Sequence, residues 1–266
     1  MAQTTFNPGS YIAPEAKKLP VILLLDTSLS MKTVTDPENV ERTGEYGFED
    51  GQRVEYVRGG TMRISVLNKC VKKMLETLAN CERDATEFVV AIITFGADTR
   101  VWLKPTRASE ARFLPLTPAG DTPLGKALDV AKTLIEDREQ IPHRCYRPLV
   151  VLVSDGQPND DWEGRLADFI HNGRTSHCDR AALAIGSDAN REMLARFLEG
   201  TENSVFEAES AEEITKFFKY VTISTVQRTK SQNPNESIPV NAAAPLVQKS
   251  ESQQNNDDDD DDDPWC

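Results

Sequence analysis

The sequence predicts an α/β fold of the doubly wound, Rossmann-like kind: a mostly parallel sheet flanked by helices, followed by a disordered acidic C-terminal tail. Three observations lead there. Continuous apolar runs (VILLL at 21–25, FVVAII at 88–93 and LVVLV at 149–153) are strand-length and read as strands buried on both faces. Segments with apolar residues at helical spacing lie between them, and strands alternating with helices imply a parallel sheet with right-handed crossovers. Beyond residue 226 the chain turns to Gln, Asn, Ser and Pro and then to seven aspartates, Asp257 to Asp263. Such a stretch cannot bury enough apolar surface to offset its ordering entropy.

Residues 1–18 form a polar lead-in. The first strand is expected over Leu19–Asp26. Residues 33–60 are long for a strand-to-helix loop, acidic and punctuated by glycine; Gln52–Arg58 could form one arm of a hairpin. A lid or binding loop and a merely disordered insertion both fit this segment. Ile64, Leu67, Val71, Met74, Leu75 and Leu78 mark a helix over Met62–Leu78. Glu87–Gly96 is the second buried strand, and Thr99–Leu103 a shorter one at the sheet edge, ending before Pro105. Leu124–Asp137 is a helix with Pro123 in its first turn, where the missing N–H does no harm. Arg147–Ser154 is the third buried strand, and Asp160 or Asp161 caps a helix reaching about Asn172. A small-residue strand (179–186), a helix (190–198), a short strand at Val205-Phe206 and a last helix (211–226) complete the domain, 19–226.

The net charge is −13. Residues 227–266 carry three basic and nine acidic side chains, −6, which leaves −7 for residues 1–226. With both parts acidic, binding of nucleic acid or an anionic membrane through bulk charge is disfavoured, and a metal cation or a basic partner fits better. The sequence shows no signal peptide and no run of eighteen apolar residues. The cysteines (70, 81, 145, 178 and 266) are odd in number and lack CxxC spacing, so a cytoplasmic protein with free thiols is expected, most of them small core residues.

The chemistry gathers at strand ends. The first strand finishes in Asp26, Ser28 and Ser30, at alternate positions. The loop before the second long helix offers Asp121 and Thr122, and the third strand ends in Asp155. Parallel strands present their carboxyl ends along one edge, where open α/β sheets place ligands. Asp26, Ser28, Ser30, Thr122 and Asp155 would then supply two carboxylates and three hydroxyls. Hard oxygens suit Mg²⁺, Mn²⁺ or Ca²⁺, which take six or more ligands, so a position remains for water or an incoming carboxylate. Asp121 and Asp160 read as caps or solvated charges, and Asp121 could support the site without ligating. His143, His171 and His177 share no spacing, and His177-Cys178 has no second pair for zinc. Trp102 and Trp162 read as core or rim packing; Trp162 directly follows the third loop and is also a candidate partner contact.

These residues carry a resemblance. DTSLSM resembles the DxSxS motif of von Willebrand factor A (VWA) domains, AGDTPLGKAL that family's threonine loop, and LVSDGQPND its aspartate loop, in the same order, over about residues 19–226. LPVILLLDTSLSM, DGQPNDDWE and EEITKFFKYVTISTV are most similar to the bacterial tellurite-resistance-associated, TerY-type branch. The resemblance implies a metal-ion-dependent adhesion site (MIDAS). In it Asp26, Ser28, Ser30, Thr122 and Asp155 hold Mg²⁺, some through water, and an Asp or Glu of a protein partner completes the shell. It implies no enzyme, but a binding module within a bacterial stress-response or defence system, with kinase- or phosphatase-like partners. Leu29 stands where many members have glycine; the 33–60 insertion and the acidic tail depart from compact members.

A second class stays open on the residues alone. Asp26 at the end of a first buried strand resembles the nucleophile of Mg²⁺-dependent phosphotransferases of the haloacid-dehalogenase type. That family expects a second aspartate where Ser28 stands, and Lys126 is only a loose match to its lysine. The Asp257–Asp263 run could simply solubilise, could dock a basic groove with Trp265 as apolar anchor, or could reach the chain's own metal site.

Overall fold

Strand β1 (Lys17–Asp26) lies at the centre of the molecule and organises it. The computed structural model describes residues 16–49, 52–82 and 86–240. From Leu19 to Asp26 every residue of β1 is buried. The alternation of a strand then divides its side chains between two cores. Leu19, Val21, Leu23 and Leu25 pack on one face with helices α1 (Arg63–Asn80) and α5 (Ala211–Lys230). Ile22 and Leu24 pack on the other with α2 (Leu124–Glu136), α3 (Glu163–His171) and α4 (Arg191–Phe197). Each such fully buried aliphatic contributes about 1.5–3 kcal/mol, which is why the run tolerates no polar residue before Asp26.

The main sheet has six strands in the order β5-β4-β1-β6-β7-β8. The others are β4 (Thr86–Phe95), β5 (Thr99–Arg107), β6 (Leu149–Ser154), β7 (Asp179–Ile185) and β8 (Phe206–Ala208). All pairings are parallel except β4 with β5. The chain leaves β1 through α1 towards β4 and later returns through α2 to β6, on β1's other side. The switch of direction opens a crevice beyond the carboxyl ends of β1 and β6, the place where such sheets bind ligands.

Several expected elements shift for identifiable reasons. Strand β5 continues past Pro105 to Arg107. It is an edge strand, and the β4–β5 register is irregular between Val90 and Ile92, so the missing proline N–H interrupts little. The last helix runs to Lys230, and residues 231–240 pack back on the domain, with Val240 buried and its N–H donating to Asn203 Oδ1 at 2.8 Å. The change at 227 thus falls inside α5. Residues 1–15 and 241–266, including the Asp257–Asp263 run and Trp265, lie outside the described residues.

The 33–60 insertion folds as an antiparallel hairpin, β2 (Val40–Glu49) with β3 (Gln52–Gly59), apart from the main sheet. Its base is tied down: Thr35 N–H donates to Thr61 O at 2.8 Å, Thr61 N–H to Asp36 Oδ1 at 2.6 Å, and Arg63 N–H to Thr33 O at 2.9 Å. Gly47 lets Tyr56 lie across β2, because a Cβ there would collide with the phenol.

Candidate metal site at the strand ends

Two glycines bring the threonine loop onto the sheet edge. A Cβ at Gly96 would meet Thr27 O and Ala119 O at 2.7 Å, and Gly120 (φ +72°) sits against the backbone of Ala97. With no side chain in the way, Ala119 N–H donates to Thr27 O at 2.7 Å and Leu29 N–H to Gly120 O at 2.9 Å. The loop carrying Thr122 is thereby stitched to the end of β1. Asp160 completes the arrangement from the third loop. Its carboxylate accepts the N–H groups of Gly125 and Lys126, at 2.9 and 3.0 Å, in the first turn of α2. From its place in the sequence, Asp160 or Asp161 is expected to cap α3. Instead Asp160 caps α2 across the loops, and α3 begins after Trp162 with no side-chain cap. An acceptor at a helix N-terminus satisfies orphan donors and faces the positive end of the dipole.

On this scaffold the five candidate residues come together. Asp26 is fully buried; its Oδ1 accepts Ser28 N–H at 2.9 Å and its Oδ2 accepts Ser154 Oγ–H at 2.7 Å. The hydroxyls of Ser28 and Ser30 are 2.8 Å apart, and Ser30 donates to Asp155 Oδ1 at 2.7 Å. Thr122 is buried, and its Oγ1 and Ser30 Oγ both face Gly156, where a Cβ would lie 3.5 and 3.7 Å from them. Asp121 is exposed on the rim. Lys126 is exposed on α2. Trp162 packs against the second core with the Arg196 guanidinium 5.3 Å over its ring.

The electrostatics are those of crowded anions. Burial, and next the charge of Asp155, push the Asp26 carboxyl up to about 7. Burial also raises Asp155, although Ser30 and Arg63 pull it down. Two carboxylates removed from water with one guanidinium between them leave excess negative charge in a low dielectric, which a cation would relieve. The donors are all oxygen, as a hard divalent ion prefers. Among the described residues no group of three or more His, Cys, Asp or Glu could hold a metal, so any such site must draw on hydroxyls as well as the two aspartates.

A pH effect follows. The folded Asp26 carboxyl titrates near 7 against 3.8 ordinarily, so the folded state binds this proton more tightly than the unfolded one. The resulting stability is fully present below about pH 4 and lost as pH rises through 7. Without metal, wild type should lose on the order of a few kcal/mol relative to Asp26→Asn between those values. Denaturant titrations of both proteins in EDTA, at pH 4.5 and 8, measure this; a constant difference would contradict it.

Arg63 is the site residue the sequence reading missed. Its Nη1 donates to Asp155 Oδ2 at 2.9 Å, and its side chain is only 12% exposed. One signal was available: a cation in the first turn of a helix opposes the helix dipole and calls for a reason.

The site forms the floor of a cleft of about 1330 Å³. Ser28, Ser30, Thr122 and Asp155 line the floor, and Tyr56 and Val57 of the hairpin form a wall. Five of the six exposed large hydrophobic side chains among the described residues are Tyr46, Phe48, Tyr56, Val57 and Met62, on the hairpin or its return.

A crevice beyond the strand ends of a doubly wound sheet, here lined by oxygen atoms from three loops, is where open α/β folds place ligands. The family model for the von Willebrand factor type A domain matches residues 59–220, most of the chain, which therefore belongs to this family. No curated protein matches. Among solved structures, proximal thread matrix protein 1 from the mussel byssus, with a zinc-occupied MIDAS motif, is similar over 79% of this chain and 48% of its own (13% identity, TM-score 0.52). A von Willebrand factor type A protein from Catenulispora acidiphila is similar over 79% of this chain and 42% of its own (17% identity, TM-score 0.52). The PilB minor pilin of Streptococcus sanguinis, as its D319A mutant, is similar over 80% and 62% (15% identity, TM-score 0.52). The chain thus spans less than two thirds of the length of these structures, and at such identities the likeness is one of fold. No helix among the described residues is long and apolar enough to cross a membrane.

Proposed function

We propose that the chain is a metal-dependent protein-binding module. Asp26, Ser28, Ser30, Thr122 and Asp155 would hold one divalent cation, Mg²⁺ by preference with Mn²⁺ and Ca²⁺ as alternatives, and an Asp or Glu of a protein partner would fill its remaining position. The carrying observation is the hydrogen-bonded chain from Ser28 through Ser30 to Asp155, beside the buried Asp26, on the floor of an open cleft. The bound ion would supply a positive charge at which an incoming carboxylate gives up its water. This chain's residues supply the rest: Asp26 and Asp155 balance charge, the hydroxyls fix direction, and the backbone of Gly120 and Leu29 keeps the loops in register. The family is one of adhesion and protein-interaction modules, which supports binding over catalysis.

A metal–carboxylate contact is short-ranged, so it acts as a latch on a larger surface. The hairpin's exposed aromatic and aliphatic side chains border the latch and suit the apolar part of such an interface. On the motifs DGQPNDDWE and EEITKFFKYVTISTV we place the chain nearest the tellurite-resistance-associated branch, with kinase- or phosphatase-like proteins in a bacterial stress or defence system as the partners to examine first. The test is calorimetric titration of the full chain with Mg²⁺ beside Ser30→Ala. Wild type should bind, and the alanine variant should bind roughly 10–100-fold more weakly. Equal affinities would contradict the proposal.

A further inference from the structure

Resting on that reading, we infer that Arg63 is a resident cation that holds the site when no metal is bound and thereby weakens its affinity for one. Arg63 is the first residue of α1, where the helix dipole disfavours a positive side chain. The helix gains nothing from it, and its guanidinium instead reaches Asp155 Oδ2 at 2.9 Å. Its placement is close-fitting on the side away from the cleft. Gly186 (φ +76°) carries no side chain where the guanidinium lies, and a Cβ there would collide with it. The Arg63 N–H is fixed to Thr33 O at 2.9 Å.

The two oxygens of Asp155 are therefore divided, Oδ1 to the Ser30 hydroxyl and Oδ2 to Arg63. A divalent ion drawn to the same carboxylate meets a positive charge already in place. Either the ion shares Asp155 with the guanidinium or it displaces it, and in both cases like charges oppose one another across a poorly solvated gap. The arginine thus balances the charge of Asp155 as a metal ion would. It also links the site to the hairpin, because Arg63 directly follows Met62, which bridges to Val34 at the hairpin's base.

Arg63→Gln removes the charge while keeping a polar side chain at the same place. With full-length protein, Mg²⁺ should bind this variant about tenfold or more tightly than wild type. Its melting temperature in EDTA should fall, and the rise on adding Mg²⁺ should grow with the tighter binding. Arg63→Lys, which keeps the charge and loses the planar fork, should stay closer to wild type. An independent readout needs no variant: the Arg63 side-chain Nε–Hε NMR signal should move when Mg²⁺ is added. Unchanged or weaker Mg²⁺ binding in Arg63→Gln, or an unmoved Arg63 signal on saturation, would overturn the inference and leave the metal reading standing. Failure of wild type to bind any divalent ion would overturn both.

Discussion

Asp26→Ala should weaken divalent-metal binding by roughly 100-fold or more, beyond what loss of a supporting hydrogen bond would cause. Asp26 and Asp155 are the two fully buried candidate ligands, and Asp26 stands at the end of the central strand. Asp26 is fully buried, and its two oxygens are fixed by Ser28 N–H and Ser154 Oγ–H. Its carboxyl is already held near 7 by burial and by Asp155, so removing it also removes a repulsion. In EDTA the variant should therefore lose no more stability than its two hydrogen bonds supplied, about 1 kcal/mol each. Capture of a protein partner should fail together with metal binding. Calorimetry beside a thermal melt separates the two effects. A variant that melts normally and still binds Mg²⁺ with wild-type affinity would contradict the assignment.

The second large effect lies at the opposite end of the sheet and concerns the fold. Asp179, at the start of β7, and Arg228, near the end of α5, form an ion pair with side chains 6% and 3% exposed. Ser237 Oγ–H also donates to Asp179, at 2.8 Å, and Arg228 Nε–H to Pro234 O at 2.8 Å; a further Arg228 N–H donates to Arg147 O. Arg228→Ala leaves a buried carboxylate without its cation and frees residues 231–240 from the domain. A cost of about 3–5 kcal/mol is expected, as for other broken buried pairs. For a domain of this size that corresponds to a fall of roughly 6–20 °C in melting temperature. Arg228→Met combined with Asp179→Leu should recover part of the loss, because a buried pair exchanged whole for apolar groups leaves no stranded charge. Thermal melts of the three proteins decide it; a single variant within about 1 kcal/mol of wild type would show that the pair is solvated.

The contrast between these two ends explains what could be read from the sequence. The three central strands were legible because burial on both faces writes them as unbroken apolar runs, and β1 and β4 agree with the expected bounds within two residues or fewer. The five candidate oxygens were legible because parallel topology sends strand ends to one edge. What escaped were interactions that join distant charged residues. Asp160 reads as a local cap, and only the packing of one loop against another shows that it serves α2. Arg228 and Asp179 look solvated when their neighbours in space are unknown, so the packing of residues 231–240 on the domain leaves no mark in the sequence. The hairpin was half visible: Gln52–Arg58 alternates weakly, but β2 is too polar for period or propensity to reveal it. Arg63 was hidden for the same reason, with its partner 92 positions away.

The most direct measurement is anomalous diffraction from crystals of the full chain grown with Mn²⁺. One strong peak is expected on the cleft floor, within coordination distance of Ser28 Oγ, Ser30 Oγ and a carboxylate oxygen of Asp26, with Thr122 and Asp155 around it. Ordered manganese elsewhere on the chain, with the Ser28–Ser30–Asp155 hydrogen bonds intact and no peak beside those five side chains, would contradict the account.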